Sequence, residues 1–318
     1  MHIAVYCPFL ASALLGRAAP VLARRLPPAT ATRLLVGSGV VAAASTLLAV
    51  AVLALTLVGR LPSVAGFGHW SAGALASASP VPAIVGGAAV TGGVLVTGRG
   101  LVMAVARARA FLAARAFCRD LGGSGGQLVV TDEDIEPVAV PACGGRILAS
   151  RAHLAALPAA ERRALLLHER AHLAGHHHLY RLVAELTGAV DPLQHRVRQA
   201  VRYATERWAD EVAAAAVGNR AVVAGALARS GLRSAGRPPG AGWEAVALSA
   251  GGPDVVRRVR ALLAPAPSQR PALVLAAGAL VACTLAVSLH AQVDSERYFH
   301  PASATHGAPS GGDTATRR

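Results

Sequence analysis

The sequence predicts a mainly α-helical membrane protein, in which several membrane-spanning helices flank an inserted domain of helices with a small β-sheet. Hydrophobic residues make up 53% of the 318 residues, and the mean hydropathy is +0.46, a composition too apolar for an ordinary soluble enzyme. Long uncharged runs lie towards both ends of the chain. The segment between them, residues 107–264, is charged and alternates helix-like and strand-like patterns.

Three apolar segments within residues 1–106 are predicted to cross the membrane. Residues 34–58 form an uncharged run between two arginines, long enough for a tilted helix to cross about 30 Å of hydrocarbon. Residues 81–98 form a second such run, whose glycines suit close helix packing in lipid. We interpret residues 3–23 as a retained helix and not a cleaved signal peptide, because no positive charge precedes the apolar core.

A fourth span is predicted at residues 272–289, followed by a disordered tail at residues 290–318 that is rich in small and polar residues. Of the 31 basic residues, all arginine, 22 lie within residues 107–270. Because cytoplasmic segments carry an excess of positive charge, the inserted domain is expected in the cytoplasm and the tail outside the cell. The sequence therefore predicts a multi-pass protein of the cell membrane.

The net charge of +14 raises the question of a nucleic-acid partner. The arginines of residues 107–270 are interleaved with 14 acidic residues, and no stacking aromatic residues accompany them. The pattern favours a surface near anionic lipid, so we expect the lipid bilayer, and no nucleic acid, as a partner. The four cysteines show no metal-binding spacing and are interpreted as free thiols.

The inserted domain is predicted to begin with a basic helix at about residues 100–120. Short apolar or β-branched runs bounded by turn residues then predict strands at residues 128–131, 137–140 and 147–150. Helical patterns follow at residues 158–178, 181–188 and 191–217. Pro158 suits a first helical position, and Gly218 is typical of a left-handed helix terminator.

A His-Glu-x-x-His motif lies in the first of these three helices, at His168, Glu169 and His172. Side chains at positions i and i+4 of a helix lie one above the other, so the two imidazoles can bind one zinc ion. Glu169 is then placed to act as general base on a zinc-activated water, whose pKa the metal lowers toward ~7. Alone, the motif is only suggestive.

A second motif, on the last of these helices, strengthens the interpretation. Glu206 and Asp210 also stand four residues apart, and Glu206 can complete a site of two histidines and one glutamate that leaves a fourth position for water. Asp210 is predicted to accept the other ring N–H of a ligand histidine, and we count it with Glu169 among the catalytic residues. The alternative is that both carboxylates pair with Arg202 and Arg207 on a solvated helix face.

Together, the segments His168 to His172 and Glu206 to Asp210 resemble the gluzincin arrangement of the HtpX and CAAX-prenyl-protease peptidases. They are also similar to the BlaR/MecR-type membrane peptidases, which place a cytoplasmic zinc domain between a third and a fourth span. The resemblance implies a zincin-like α+β domain, one zinc ion per chain and internal peptide bonds as substrate. The BlaR/MecR receptors carry a penicillin-binding domain after the last span, whereas a short polar tail follows here, so β-lactam sensing is not expected.

The expected activity is that of a zinc metalloendopeptidase acting on protein or peptide substrates, with Glu169 moving a proton from water to the leaving amine. We interpret residues 147–150 as a free sheet edge that pairs with extended substrate. Quality control of membrane proteins and regulated cleavage of a cytoplasmic repressor are both open as roles. The alternative is a catalytically silent membrane signalling or scaffold protein that retains the zinc site.

Other side chains near the two motifs have plainer interpretations. His176, His177 and His178 are expected to extend the helix of the first motif, near whose C-terminus histidines are favoured, although an extra metal ligand is conceivable. Trp208 is expected to pack the two motif-bearing helices together. Tyr203 is interpreted as a buried structural residue, with stabilisation of an oxyanion as the alternative.

Overall fold

The computed structural model of the protein describes nearly all of residues 4–266. In full, the described residues are 4–68, 70–73, 75, 81–120, 128–133, 135–234 and 253–266, with isolated positions from 271 to 286. The predicted tail at residues 290–318 lies outside the described residues. The predicted fourth span at residues 272–289 is described only in part.

The chain forms two compact units, the first of which is helical and apolar. Its segments are Met1–Ser12, Val41–Gly98 and Ala279–Arg318. Its helical parts come from α1 (Cys7–Arg25), α2 (Pro28–Val58), α3 (Pro62–Gly68) and α4 (Ala83–Asp120). Its core consists of Val5, Ala49, Leu53, Val81 and Ala89. A Cβ atom added to Gly86 of α4 would lie 2.7 Å from Cβ of Leu57 in α2, so a glycine is needed where these helices meet.

Two helices, α2 and α4, are long and apolar enough to cross a membrane among the residues that the structure describes. Helix α2 contains the predicted span at residues 34–58. Helix α4 joins the predicted span at residues 81–98 to the basic helix predicted at residues 100–120, because no proline interrupts it. Helix α1 is not among the candidates, since Arg17 and Arg24 interrupt its apolar sequence. The four-span topology therefore stays a prediction.

The second unit, Ala13–Val40 with Arg99–Gly278, contains a three-stranded sheet. Its strands are β1 (Leu128–Thr131), β2 (Val138–Val140) and β3 (Arg146–Ser150), in the order β1-β3-β2. Strand β3 pairs in parallel with β1 and antiparallel with β2, and all five of its residues are buried. The predicted strands are confirmed, but the interpretation of residues 147–150 as a free edge is wrong, because β3 is paired on both sides.

Six helices follow the sheet within the described part of this unit. They are α5 (Arg151–Ala155), α6 (Ala159–Ala174), α7 (His177–Val190), α8 (His195–Val217), α9 (Arg220–Ser234) and α10 (Pro253–Leu263). Local capping fixes several of their ends. The Ser150 side chain accepts the backbone N–H of His153 at the start of α5. Gly218, with φ of 75°, ends α8 as the sequence predicts.

The helix predicted at residues 158–178 is in fact two helices. Helix α6 ends before Gly175, and His176 adopts a left-handed conformation with φ of 51°. Helix α7 then starts at His177, so the helix predicted at residues 181–188 is longer than expected. A glycine weakens a helix because it carries no side chain and has a large conformational entropy, and Gly175 is where the helix stops.

Helices α6, α8, α9 and α10 share a core in which most side chains are small. Its buried members are Ala164, Ala213, Ala214, Val223, Ala224, Ala226 and Leu262. Small side chains at a contact let helix axes approach closely. The two helices that carry the sequence motifs, α6 and α8, are therefore packed side by side.

Candidate metal centre

Helices α6 and α8 bring His168, His172 and Glu206 together in the interior of the second unit. One ligand atom from each residue lies within 4.8 Å of the others, and all three residues are buried. Nε2 of His168 lies 3.1 Å from Nε2 of His172 and 3.5 Å from Oε2 of Glu206, and Nε2 of His172 lies 3.6 Å from Oε1 of Glu206. These three residues can therefore hold a metal ion.

Asp210, one turn after Glu206 on α8, orients the first histidine. Nδ1 of His168 donates to Oδ1 of Asp210 across 3.0 Å. This hydrogen bond keeps the proton on Nδ1 and leaves Nε2 directed at His172 and Glu206. The structure thus brings Asp210 to the position that the sequence predicts for it.

His177 makes the corresponding contact with the second histidine. Its Nδ1 lies 3.0 Å from Nδ1 of His172, and its ring is fully buried. Gly175 provides the space for this ring, because a Cβ atom added there would lie 2.5 Å from Nε2 of His177. The prediction that three histidines extend one helix is wrong, since His176 interrupts it and is exposed, while the interruption turns His177 towards His172.

Glu169 lies beside the three candidate ligands, lines the cavity that they also line, and is 8% exposed. Burial raises its pKa to about 7, although the charge of His168 and the backbone N–H of Ala139 act in the opposite direction. A carboxyl group with a pKa near neutrality can both accept and release a proton under physiological conditions. This behaviour is what a general base requires.

Two buried arginines, which no sequence motif marks, neutralise the carboxylates. Arg258 of α10 donates from Nε and Nη2 to the two carboxylate oxygens of Asp210 at 2.8 and 2.7 Å, and its Nη1 lies 2.8 Å from Oε2 of Glu206. Arg181 of α7 donates to Oε1 of Glu206 at 2.9 Å. A bidentate pair of this kind is among the strongest hydrogen-bonded contacts in proteins.

These pairs replace the partners that the sequence suggested. The expected alternative, in which Glu206 and Asp210 pair with Arg202 and Arg207 on a solvated face, is wrong, because both carboxylates are buried and their arginine partners come from α7 and α10. The Nη1 atom of Arg207 instead donates to the backbone carbonyl of Ala23 at 2.9 Å.

Electrostatics fix the charge of each group. Burial alone would raise the pKa of Glu206 and of Asp210, but Arg258 and the histidines hold the first well below its usual range and the second at about 2. Burial lowers the pKa of His172, whereas hydrogen bonds to Asp210 and Glu206 overcome burial and raise the pKa of His168 to about 10. At neutral pH His168 is therefore protonated, and a cation that bound between the two rings would displace this proton.

The candidate ligands line a cavity of about 80 Å³. Val138 and Ala139 of β2 form part of its wall, and Ser230 of α9 forms another part. Tyr203 does not line this cavity, and the rings that Trp208 contacts are His177 and Tyr180 of α7. Trp208 therefore joins α8 to α7.

Sequence signals exist for some of these residues and not for others. The spacing of four residues predicts His168 with His172 and Glu206 with Asp210, whereas Arg258 lies 48 positions after Asp210, in no motif. Comparison with known proteins finds no matching family model, no matching curated protein and no matching solved structure.

Proposed function

We propose that this chain is a membrane-embedded, zinc-dependent metalloendopeptidase. The observation that carries the proposal is the buried convergence of His168, His172 and Glu206 in a cavity that also contains Glu169. Two imidazoles and a carboxylate directed at one point, with a separate carboxyl group beside them, supply the ligands and the base for metal-assisted hydrolysis.

The chemistry of the donors favours zinc. Imidazole nitrogens suit zinc, whereas calcium and magnesium prefer oxygen ligands. Three protein ligands leave a fourth position open. Zinc, when bound, would lower the pKa of water toward ~7 and polarise the scissile carbonyl group. Asp210 and His177 would hold the imidazoles of His168 and His172 with Nε2 towards the ion.

Glu169 would act as the general base. It follows His168 directly on α6, and the backbone N–H of Ala139 in β2 donates to its carboxyl group. From this position it would take a proton from the attacking water and deliver that proton to the departing amine. The flanking strand would keep its carboxyl group directed into the cavity.

The substrate would be a protein or peptide segment in an extended conformation. Strand β2 is an edge of the sheet and also lines the cavity. An extended segment that adds to this edge would gain main-chain hydrogen bonds and little sequence selectivity. Such binding suits an endopeptidase that cuts many sequences, and it moves the expected substrate edge from β3 to β2.

A cell-membrane location, with the second unit in the cytoplasm, completes the proposal. The apolar side chains of α4 are largely exposed: Ile84 is 81% exposed, Val94 68%, Leu101 65% and Val102 70%. Contiguous exposed apolar surface marks an interaction site for lipid or protein. The excess of arginine in residues 107–270 favours the cytoplasmic side.

The test compares detergent-purified wild type with Glu169→Gln, using zinc content and casein cleavage as readouts. Zinc is expected in both proteins and cleavage only in the wild type, because the base does not bind the metal. Exposed Glu133 provides the matched control, and Glu133→Gln should cleave like the wild type. Cleavage by Glu169→Gln would contradict the assignment of the base.

A catalytically silent signalling or scaffold protein is the second candidate. One observation favours it: both oxygens of Glu206 are already paired, with Arg181 and Arg258. A carboxylate so engaged is stable without a metal, although each oxygen has two acceptor sites and can accept further contacts. Zinc in both the wild type and Glu169→Gln, with cleavage in neither, would favour a latent signalling protease or a scaffold.

A further inference from the structure

A second cavity of the second unit has a very different character. Five arginines line it, namely Arg24, Arg25, Arg207, Arg257 and Arg260. Its volume is about 540 Å³, within the range of small-molecule sites. None of the described residues that line it carries a carboxylate. We call this feature the arginine cavity.

Three helices supply the arginines. Arg24 and Arg25 end α1, Arg207 lies on α8, and Arg257 and Arg260 stand three residues apart on α10. Like charges at that helical spacing repel each other. The fold therefore brings positively charged side chains together although they repel each other. A bound anion would relieve this repulsion.

Arg207 forms the buried floor of this group. It is 6% exposed, and its Nη1 donates to the backbone carbonyls of Ala23 and Arg24 at 2.9 and 3.2 Å. Its buried Nε has no hydrogen-bond partner among the described residues. An unsatisfied buried donor next to four exposed guanidinium groups is a position at which an anion would gain a hydrogen bond.

Compensation by carboxylates of the described residues is small. Among the described residues, Asp254 pairs with Arg257 at 3.4 Å, and both side chains are exposed. An exposed pair of this kind contributes little. The arginine cavity therefore keeps a strong positive potential.

We propose that the arginine cavity binds a phosphate group. Guanidinium groups match the geometry of phosphate oxygens with paired hydrogen bonds. The phosphate can belong to an anionic lipid headgroup or to a soluble phosphate compound, and both would present the same oxygens. This site does not depend on the proposed peptidase activity.

The experiment measures binding to the detergent-purified full-length protein. The probes are short-chain phosphatidylglycerol, its zwitterionic analogue phosphatidylcholine, and inorganic phosphate. Binding of each probe is measured by calorimetry and by the shift in unfolding temperature. The test variant is Arg257→Gln with Arg260→Gln, because both side chains are exposed and their loss should not affect folding. The control is Arg162→Gln with Arg163→Gln, which removes the same charge from exposed positions of α6.

We expect phosphatidylglycerol to bind, phosphatidylcholine to bind much more weakly, and the test variant to lose roughly tenfold or more in affinity while the control does not. Inorganic phosphate binding with the same dependence on the two variants, and no preference for phosphatidylglycerol, would support the site and assign it to a soluble compound. Absence of binding by both anions, equal binding of the two lipids without phosphate binding, or equal losses in the two double variants would overturn the proposal.

Discussion

Two neighbouring residues of α8, Glu206 and Arg207, belong to two regions with opposite ways of managing charge. Around Glu206, the buried carboxylates of Glu206 and Asp210 have arginine partners, and these pairs are short and enclosed. Around Arg207, five arginines line the arginine cavity, and none of the described residues that line it carries a carboxylate. The difference teaches that the first region balances the charges of Glu206 and Asp210 with arginines of the chain itself, whereas the second gathers positive charge for which we propose an anion from outside the chain.

The largest expected effect comes from breaking the balance of the first region. Arg258→Met removes the arginine partner of buried Asp210 and one of the two arginine partners of Glu206, and the free energy of unfolding should fall by about 3–5 kcal/mol. Urea unfolding followed by tryptophan fluorescence measures this change. Arg257→Met, the neighbouring exposed position, should change stability by less than about 0.5 kcal/mol. Equal effects of the two variants would mean that the pairs around Arg258 do not stabilise the fold.

The next effect concerns the histidines themselves. His172→Ala removes a proposed ligand, so stoichiometric zinc should be lost on dialysis, since two remaining protein ligands hold zinc much more weakly than three. His176→Ala, at an exposed position only four residues away, should keep its zinc. Elemental analysis of both proteins decides the matter, and zinc retained by His172→Ala would exclude this histidine as a ligand.

A smaller effect sharpens the role of the helix interruption. Alanine at position 175 is compatible with the backbone, whose φ is −82°, but its Cβ would meet the His177 ring at 2.5 Å. Displacing a residue that orients a ligand typically costs about 10–100-fold in metal affinity, so Gly175→Ala should bind zinc that much more weakly in competition with a chelator. Gly37→Ala serves as control because nothing lies within 4 Å of the added atom. Unchanged affinity in Gly175→Ala would show that His177 does not position His172.

The smallest effect separates the two cavities. Tyr203 lines the arginine cavity and not the metal centre, so Tyr203→Phe should leave kcat of peptide cleavage within about twofold of the wild type. Loss of an oxyanion donor costs about 10²–10³ in kcat. A decrease of that size would place the hydroxyl group at the reacting carbonyl and revive the oxyanion alternative. Steady-state kinetics on a fluorogenic peptide provide the measurement.

The sequence predicted the parts of the site that depend on helix periodicity. His168 with His172, and Glu206 with Asp210, obey the rule that residues four apart share a face, and the structure brings them together. The strands were recognised from their composition, yet their order was not, because a short apolar run does not reveal its neighbours. Strand β3 is central and buried on both faces. The apolar run from Ile147 to Ala149 is consistent with this position.

Other features depend on tertiary contacts that no local pattern encodes. Arg258 reaches Asp210 from a helix 48 positions away, and an arginine on an amphipathic helix is ordinarily a surface residue. The position of His177 differs in this respect, because Gly175 is a local sequence signal. A glycine followed by three polar residues favours a helix end, so the helix of the first motif is not expected to continue through His178. A prediction that respected this glycine would have separated the roles of the histidines.

The way Arg258 reaches the interior has a practical consequence for anyone who wishes to excise or transplant the candidate metal centre. The two motifs lie within residues 168–210 and invite the design of a short fragment that ends after α9. Such a fragment would lack α10 and leave Asp210 enclosed with a net negative charge, a defect that neither motif reveals. The smallest soluble version worth making must extend through Leu263, the last residue of α10.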